Sequence, residues 1–103
     1  MDSLVIKLLP KVKANLILTH VGDDELLRDF IRAALDYGEN YQKRKYKRKL
    51  PPSTEQAVIM LSSHFYESRD GAVGGFFADY IGAVNNVWTT VNRLLAMDKR
   101  WEV

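Results

Sequence analysis

Residues Asp23–Gln42, DDELLRDFIRAALDYGENYQ, carry the helical pattern on which the rest of the fold depends. Asp23 is the predicted N-cap, with its carboxylate accepting hydrogen bonds from the exposed backbone amides, while Asp24 and Glu25 in the first turn complement the helix dipole. One apolar stripe at helical spacing consists of Leu27, Phe30, Ile31, Ala34, Tyr37, Gly38 and Tyr41. The pattern predicts a helix from Asp24 to about Gln42, roughly 28 Å long at 1.5 Å per residue.

The segments on either side of this helix are predicted to be helical as well. Pro10 suits the first turn of a short helix running to about Ile17, because its missing N–H would have no partner there in any case. On the other side, the Pro-Pro pair at 51–52 stops any continuous helix. The Ser53-x-x-Gln56 pattern that follows is a capping box, and it predicts a second long helix to about Ser68. With a short connection, the two long helices are antiparallel.

The C-terminal third of the chain is predicted to contain a loop and a last helix. Four of the six glycines fall between Gly71 and Gly82, and the apolar residues among them follow no clean period, so a flexible loop is expected over about 71–85. Helical spacing resumes from about Asn86 to Lys99. The sequence therefore predicts an all-α fold in one domain over 1–103, with two long antiparallel helices, a short N-terminal helix and a C-terminal helix.

Composition limits the classes of function that remain. The 47% hydrophobic and 27% charged content is ordinary for a globular chain, and the absence of cysteine excludes disulfides, thiolate zinc sites and cysteine nucleophiles. Three lysines interrupt the apolar N-terminal stretch 4–18, which argues against a spanning helix. An interfacial membrane helix is the remaining alternative there, and no membrane partner is expected.

Few residues suggest catalysis. His64 and Glu67 have the spacing of two metal ligands on one helix face, but a working site needs a third ligand, and His20 has no spacing relation to them. Packing of His64 beside Phe65 is the simpler interpretation. Ser62 is near His64 in sequence, yet no nucleophile-elbow glycines flank it. We expect no catalytic, cofactor or metal site, and no enzyme.

A basic loop lies between the two long helices, over 43–49, and it contains Lys43, Arg44, Lys45, Lys47, Arg48 and Lys49. Outside it, nine basic residues face thirteen acidic ones, so the rest of the chain has a net charge of −4. The loop could bind nucleic acid, with Tyr46 stacking on a base, or contact an acidic protein surface, or be a solvated loop tip. Sequence-specific DNA recognition is disfavoured because the run ends in Pro-Pro instead of continuing as a firm helix.

Four segments together resemble the head-tail connector (adaptor, DNA-packaging) family of tailed bacteriophages and prophages. They are VKANLIL, DDELLRDFIRAALDYGENY, PPSTEQAVIMLSSHFYESRD and VWTTVNRLLAMDKRW. The most specific parts are the turn with paired aspartates and the run HFYESR over 64–69. The resemblance covers about residues 10–69 and 86–101.

This resemblance implies a structural protein of the virion, located at the head-tail junction and assembled in the bacterial host cytoplasm. Such connectors form a ring under the portal, with about twelve subunits if the portal is matched, continue the DNA channel and dock the next head-completion or tail protein. The basic loop would then meet an acidic surface of a neighbour or partner, with possible nonspecific contact to DNA. The alternative is a small helical DNA-binding protein, either a transcription regulator or a packaging-terminase subunit, that uses the 43–49 run.

Several residues outside the basic loop are predicted to contribute to subunit or partner interfaces. The acidic turn is one candidate, and aromatic side chains among glycines or near the C-terminus are more apolar than a solvated segment needs. The predicted interface residues are Asp23, Asp24, Phe76, Phe77, Tyr80 and Trp101. Trp88 is equally compatible with an interface and with the core of the monomer.

Overall fold

The computed structural model describes residues 2–19, 21–68 and 77–97, and for 77–85 it describes the backbone alone. Within these ranges the chain forms four helices and no strand: α1 Asp2–Leu16, α2 Asp24–Gln42, α3 Pro52–Glu67 and α4 Phe77–Met97. The predicted all-α fold is confirmed. The prediction of one domain over 1–103 stays a prediction.

Helices α2 and α3 form the central antiparallel pair. Gln42 Nε2 at the end of α2 donates to Thr54 Oγ1 at the start of α3 over 2.9 Å, while the Tyr66 hydroxyl at the end of α3 donates to Asp23 beside the start of α2. These two contacts join opposite ends of the helices, so the chain must reverse direction between them. The predicted helical hairpin is therefore confirmed, and the bounds predicted for α2 match those observed.

The outer helices α1 and α4 pack on opposite parts of this pair. Lys11 of α1 lies 2.7 Å from Glu55, and Asn15 Nδ2 donates to Ser63 Oγ over 2.8 Å, so α1 runs parallel to α3. Contacts of Tyr37 with Asn92 and of Gln42 with the carbonyl of Leu95 show that α4 runs parallel to α2. The four helices thus alternate in direction along the chain, as in an up-down-up-down bundle.

Each helix contributes one apolar face to a common core. Burying a Leu or Val side chain stabilises the fold by roughly 1.5–3 kcal/mol, so a face of three or four such residues is enough to fix a helix in place. The side chains that are almost completely buried are Val5, Leu8, Val12, Leu27, Ile31, Leu35, Val58, Leu61, Val91 and Leu95.

Two helices begin earlier than the sequence predicts. α1 begins at Asp2, not at Pro10, and its buried face of Leu4, Val5, Leu8 and Val12 packs in the core although the proline lies inside the helix. This packing outweighs the roughly 3 kcal/mol that an interior proline costs. α4 begins at Phe77 and is the longest helix, with 21 residues. The predicted loop over 71–85 is therefore wrong in its second half, and 71–76 lie outside the described residues.

The predicted side-chain caps do not form. Pro51 is the N-cap of α3, Pro52 occupies its first position, and Ser53 lies inside the helix, so no capping box is present. Asp23 does occupy the N-cap position of α2, but its side chain makes no cap hydrogen bond. That carboxylate accepts from Tyr66 instead, because the end of α3 packs directly over the start of α2.

Candidate interaction surfaces

A buried amide anchors the base of the basic loop. Gln42, only 3% exposed, donates from Nε2 to Thr54 Oγ1 and to the carbonyl oxygen of Leu95, both over 2.9 Å. Its Oε1 accepts from the Tyr46 hydroxyl over 2.7 Å. One side chain thus connects α2, α3, α4 and the loop, with both amide hydrogens and the carbonyl engaged.

Tyr46 folds back from the middle of the basic loop onto α2. Its backbone N–H donates to Glu39 Oε2 over 2.7 Å, and its ring is buried against Gly38. A Cβ atom at position 38 would lie 3.2 Å from two ring carbons of Tyr46 and closer still to the hydroxyl, so this approach requires glycine. Glycine costs roughly 1 kcal/mol relative to alanine inside a helix, and the close contact explains its presence here.

Five of the six cations of the basic loop are exposed, whereas Arg44 lies against the anchor. Lys43 ends α2 in the left-handed conformation with φ of 56°, and Arg44 lies over the Tyr46 ring, 6.0 Å from its centroid. Lys43, Lys45, Lys47, Arg48 and Lys49 are exposed. The prediction that Tyr46 is available to stack on a base is wrong, because its ring is needed to hold the loop against α2.

Part of the loop joins α1 to form a surface that the sequence analysis missed. Lys7 Nζ donates to the backbone carbonyl of Arg48 over 2.9 Å. A groove of about 280 Å³ lies between the two segments, with basic walls, a floor of leucine edges and one acid, Glu55, which Lys11 neutralises at 2.7 Å. This cationic groove is lined by Leu4, Lys7, Leu8, Lys11, Arg48, Lys49, Leu50 and Glu55. The only sequence signal for it was the lysine spacing of α1.

The acidic turn at the other end of α1 is largely engaged within the chain. Asp23 accepts from Tyr66, and Lys13 Nζ lies 2.8 Å from Asp24 Oδ1, close enough for an ion pair but off the axis of a hydrogen bond. Glu25 is exposed. Of the three acids in this turn, Glu25 therefore has the carboxylate most accessible to an external cation.

Trp88 belongs to an aromatic cluster between α2, α3 and α4. Its ring centroid lies 5.1 Å from that of Tyr37, 6.2 Å from Phe65 and 6.3 Å from His64. Burial lowers the pKa of His64, and the nearby charge of Glu67 opposes this shift. The core alternative for Trp88 and the packing of His64 beside Phe65 are both confirmed, because these rings contact each other.

The described residues contain no cluster of three or more His, Cys, Asp or Glu side chains placed to hold a metal ion. In the same part of the chain, every helix is too short or too polar to cross a membrane. The predicted interface residues Phe76 and Trp101 lie outside the described residues. Phe77 and Tyr80 belong to the backbone of α4, but their side chains are outside the description.

Small size, an all-α fold and charged surfaces at both ends of α1 define this protein as a helical interaction subunit. Residues 6–81 match the family of phage gp6-like head-tail connector proteins, and the chain belongs to that family. Searches of curated proteins and of solved structures gave no significant match. The match ends before 86–101, so the resemblance of that closing segment stays a prediction. Membership in this family confirms that the protein is a structural connector of a phage. It is a component of the virion and has other assembly proteins as partners.

Proposed function

We propose that this protein is a head-completion subunit that forms a ring of about twelve copies beneath the portal. The ring continues the DNA channel and presents a docking surface for the next connector or tail protein. Family membership supports this role, and the anchored basic loop is the feature that carries the docking proposal. A loop held by Gln42 and Tyr46 presents its charges in a fixed arrangement, so little ordering entropy is lost on docking.

The α2 side of the basic loop is the proposed partner contact. Lys43 and Lys45 line a shallow depression with Asn40 and Glu39, and Glu39 Oε1 lies 4.0 Å from Lys45 Nζ. This carboxylate is only 7% exposed, so the exposed ammonium groups dominate the potential outside. An acidic partner surface would be attracted here, with a rate and affinity that fall as salt is raised.

DNA contact is a secondary part of the proposal. Exposed lysines in a channel would neutralise phosphates without reading bases, since Tyr46 is buried and offers no stacking surface. Binding should therefore weaken steeply with salt and show no sequence preference. Nanomolar affinity for one DNA sequence would contradict the connector role.

The test of the function uses the full-length protein with purified portal assemblies and DNA-filled heads that lack it. We expect binding at the portal end and a ring visible by electron microscopy. Failure to bind portal assemblies or heads under any salt condition would exclude the proposed role.

The docking surface is tested separately by replacing Lys43, Lys45 and Lys47 with glutamine. The matched control removes the same charge elsewhere by replacing Arg28, Arg32 and Arg93 with glutamine. We expect the loop variant to bind its downstream partner more weakly at low salt, while the control binds like wild type. Equal losses in both variants would assign the effect to net charge.

Aromatic residues of the C-terminal third are also proposed to take part in subunit or partner interfaces. Phe76, Phe77, Tyr80 and Trp101 would add apolar contact area, because aromatic side chains are enriched at interfaces. Asp23 and Asp24 are at the opposite end of α2 from Lys43 and Lys45, and they are proposed to contribute to a separate subunit or partner interface.

A further inference from the structure

Ile17 is an anomaly at the end of α1. Its φ is 58°, in the left-handed region, where a β-branched residue is disfavoured. The N–H of Leu18 bonds to the carbonyl of Lys13 over 2.9 Å, and that of Ile17 to Ala14 over 3.2 Å, which is the Schellman arrangement in which glycine is preferred. The Ile17 side chain is 86% exposed, so burial within the monomer does not offset the strain.

A second exposed apolar side chain lies in the same connection. Val21, in the turn before α2, is 75% exposed, and the acid Glu25 follows it in the first turn of the helix. We refer to Ile17 and Val21 as the apolar turn. A strained backbone and exposed apolar side chains are both unfavourable in the isolated chain. Together they indicate a surface that is stabilised by contact with another molecule.

The cationic groove has the complementary character. Its floor is apolar and its walls are basic, whereas the apolar turn is apolar and bordered by acids. The groove is lined by α1 residues from Leu4 to Lys11, whereas the apolar turn begins at Ile17, just beyond the last residue of the helix. Lys11 and Ile17 are six positions apart, roughly 9 Å along the helix axis at 1.5 Å per residue. A surface that fits a different surface of the same molecule creates a head-to-tail contact, which closes into a ring when the rotation permits.

We propose that the apolar turn of one subunit inserts into the cationic groove of a second copy of this chain. Ile17 and Val21 contact the leucine floor, and Glu25 pairs with Arg48 or Lys49 on the rim. The proposed contact rests on the proposed function, because the two surfaces would join neighbouring subunits of the ring. It uses the α1 side of the basic loop and leaves the side with Lys43 and Lys45 to the docking partner.

The central experiment replaces Ile17 with glycine. Glycine suits the left-handed conformation, so Ile17→Gly should fold at least as stably as wild type yet fail to assemble, a combination that a purely structural role cannot give. Ile6→Ser is the control, since Ile6 is an isoleucine on α1 that is likewise exposed, at 70%. Sedimentation over a concentration series, alone and with portal assemblies, should show large assemblies for wild type and Ile6→Ser only.

A mixing experiment tests the direction of the contact. Ile17→Gly retains a working groove, and the double variant Arg48→Glu/Lys49→Glu retains a working apolar turn. Each should remain monomeric alone, but a mixture should form one-to-one dimers, because a single intact junction remains. Val21→Ser leaves the strained position unchanged, and it should raise the protein concentration needed for assembly at least tenfold. It provides a second test if Ile17→Gly folds poorly.

The proposal would be overturned if Ile17→Gly assembles like wild type, if the mixture of the two variants stays monomeric, or if wild-type protein never self-associates. If wild-type protein binds portal assemblies and Ile17→Gly also forms rings normally, the contact between the apolar turn and the groove is excluded. The proposed function would remain intact. Loss of DNA binding in Arg48→Glu/Lys49→Glu with unchanged assembly would assign the groove to nucleic acid and also overturn the proposed contact.

Discussion

The two connections that flank α2 are held in opposite ways. The basic loop carries six positive charges and no acid, yet its base is fixed by the buried network of Gln42, Tyr46 and Glu39. The turn between α1 and α2 carries both acids and apolar residues, and it is held by the Tyr66 bond and the Lys13 ion pair at its α2 end, while Ile17 is strained and exposed. The charge of a connection therefore does not determine how firmly it is held.

The physical difference lies in where the polar partners are placed. A fully satisfied hydrogen-bond network in the interior is strong because no water competes for its members. The Lys13–Asp24 ion pair, with side chains 16% and 19% exposed, gains less, because the cost of removing both charges from water offsets much of their attraction. We therefore expect substitutions at the base of the basic loop to lower the free energy of unfolding more than substitutions at the acidic turn.

Gln42→Leu should have the largest effect. The leucine keeps similar volume but removes the amide that bonds Thr54, Tyr46 and the Leu95 carbonyl, and we expect a loss of about 3 kcal/mol in the free energy of unfolding. Urea denaturation measures this, and hydrogen exchange should show faster exchange at 43–49. The control Asn40→Ala, at an exposed position, should change stability by less than about 0.5 kcal/mol.

Tyr66→Phe should have an intermediate effect. It keeps the ring and removes the hydroxyl that donates to Asp23, with an expected loss of about 1 kcal/mol. Urea denaturation beside Gln42→Leu gives the ratio of the two effects. A larger loss in the free energy of unfolding for Tyr66→Phe than for Gln42→Leu would show that the acidic turn is held more strongly than the basic loop.

Ile17→Gly should raise stability slightly. Relief of the left-handed strain is partly offset by the greater freedom of glycine in the unfolded chain, so we expect a gain of about 0.5 kcal/mol. Thermal and urea denaturation of the monomer at low protein concentration measure it. A clear destabilisation would mean that the Ile17 side chain already contributes to the fold, contrary to its exposure.

The pH dependence contributed by His64 should be the smallest effect. Burial lowers its pKa below the ordinary 6.5, so the unfolded chain takes up a proton before the folded one does. The stability is complete above pH 6.5 and is expected to decline as the pH falls from 6.5 towards the lower folded pKa. Urea denaturation between about pH 5.5 and 7.5 should show this slope in wild type but a flatter one in His64→Gln.

Sequence periodicity predicted α2 and the hairpin well because both depend on local signals. Asp24–Gln42 has one apolar stripe with acids at its start, and two prolines end the connection before α3. The start of α1 was not predicted correctly, because Pro10 is a weaker signal than the apolar spacing of Leu4, Val5, Leu8 and Val12. The start of α4 was not predicted correctly either, because the glycines before it obscure the length of the apolar segment.

The candidate surfaces were only partly predictable. The position of the basic loop and its exposed lysines followed from the sequence, but the burial of Tyr46 depends on Gly38 and Gln42, which approach it only when the loop folds back on α2. Lys7 and Arg48 are 41 positions apart, and their contact exists because α1 packs against the hairpin.

The sequence by itself determined the helical class, the hairpin, the separation of charge between the basic loop and an acidic body, and the family, because these follow from local periodicity and residue order. Only the tertiary structure decided which polar groups meet, that Asp23 and Asp24 are engaged internally, and that strain and apolar exposure coincide at Ile17. Such features depend on distances between segments remote in the chain, and those distances are set when the four described helices pack around their common core.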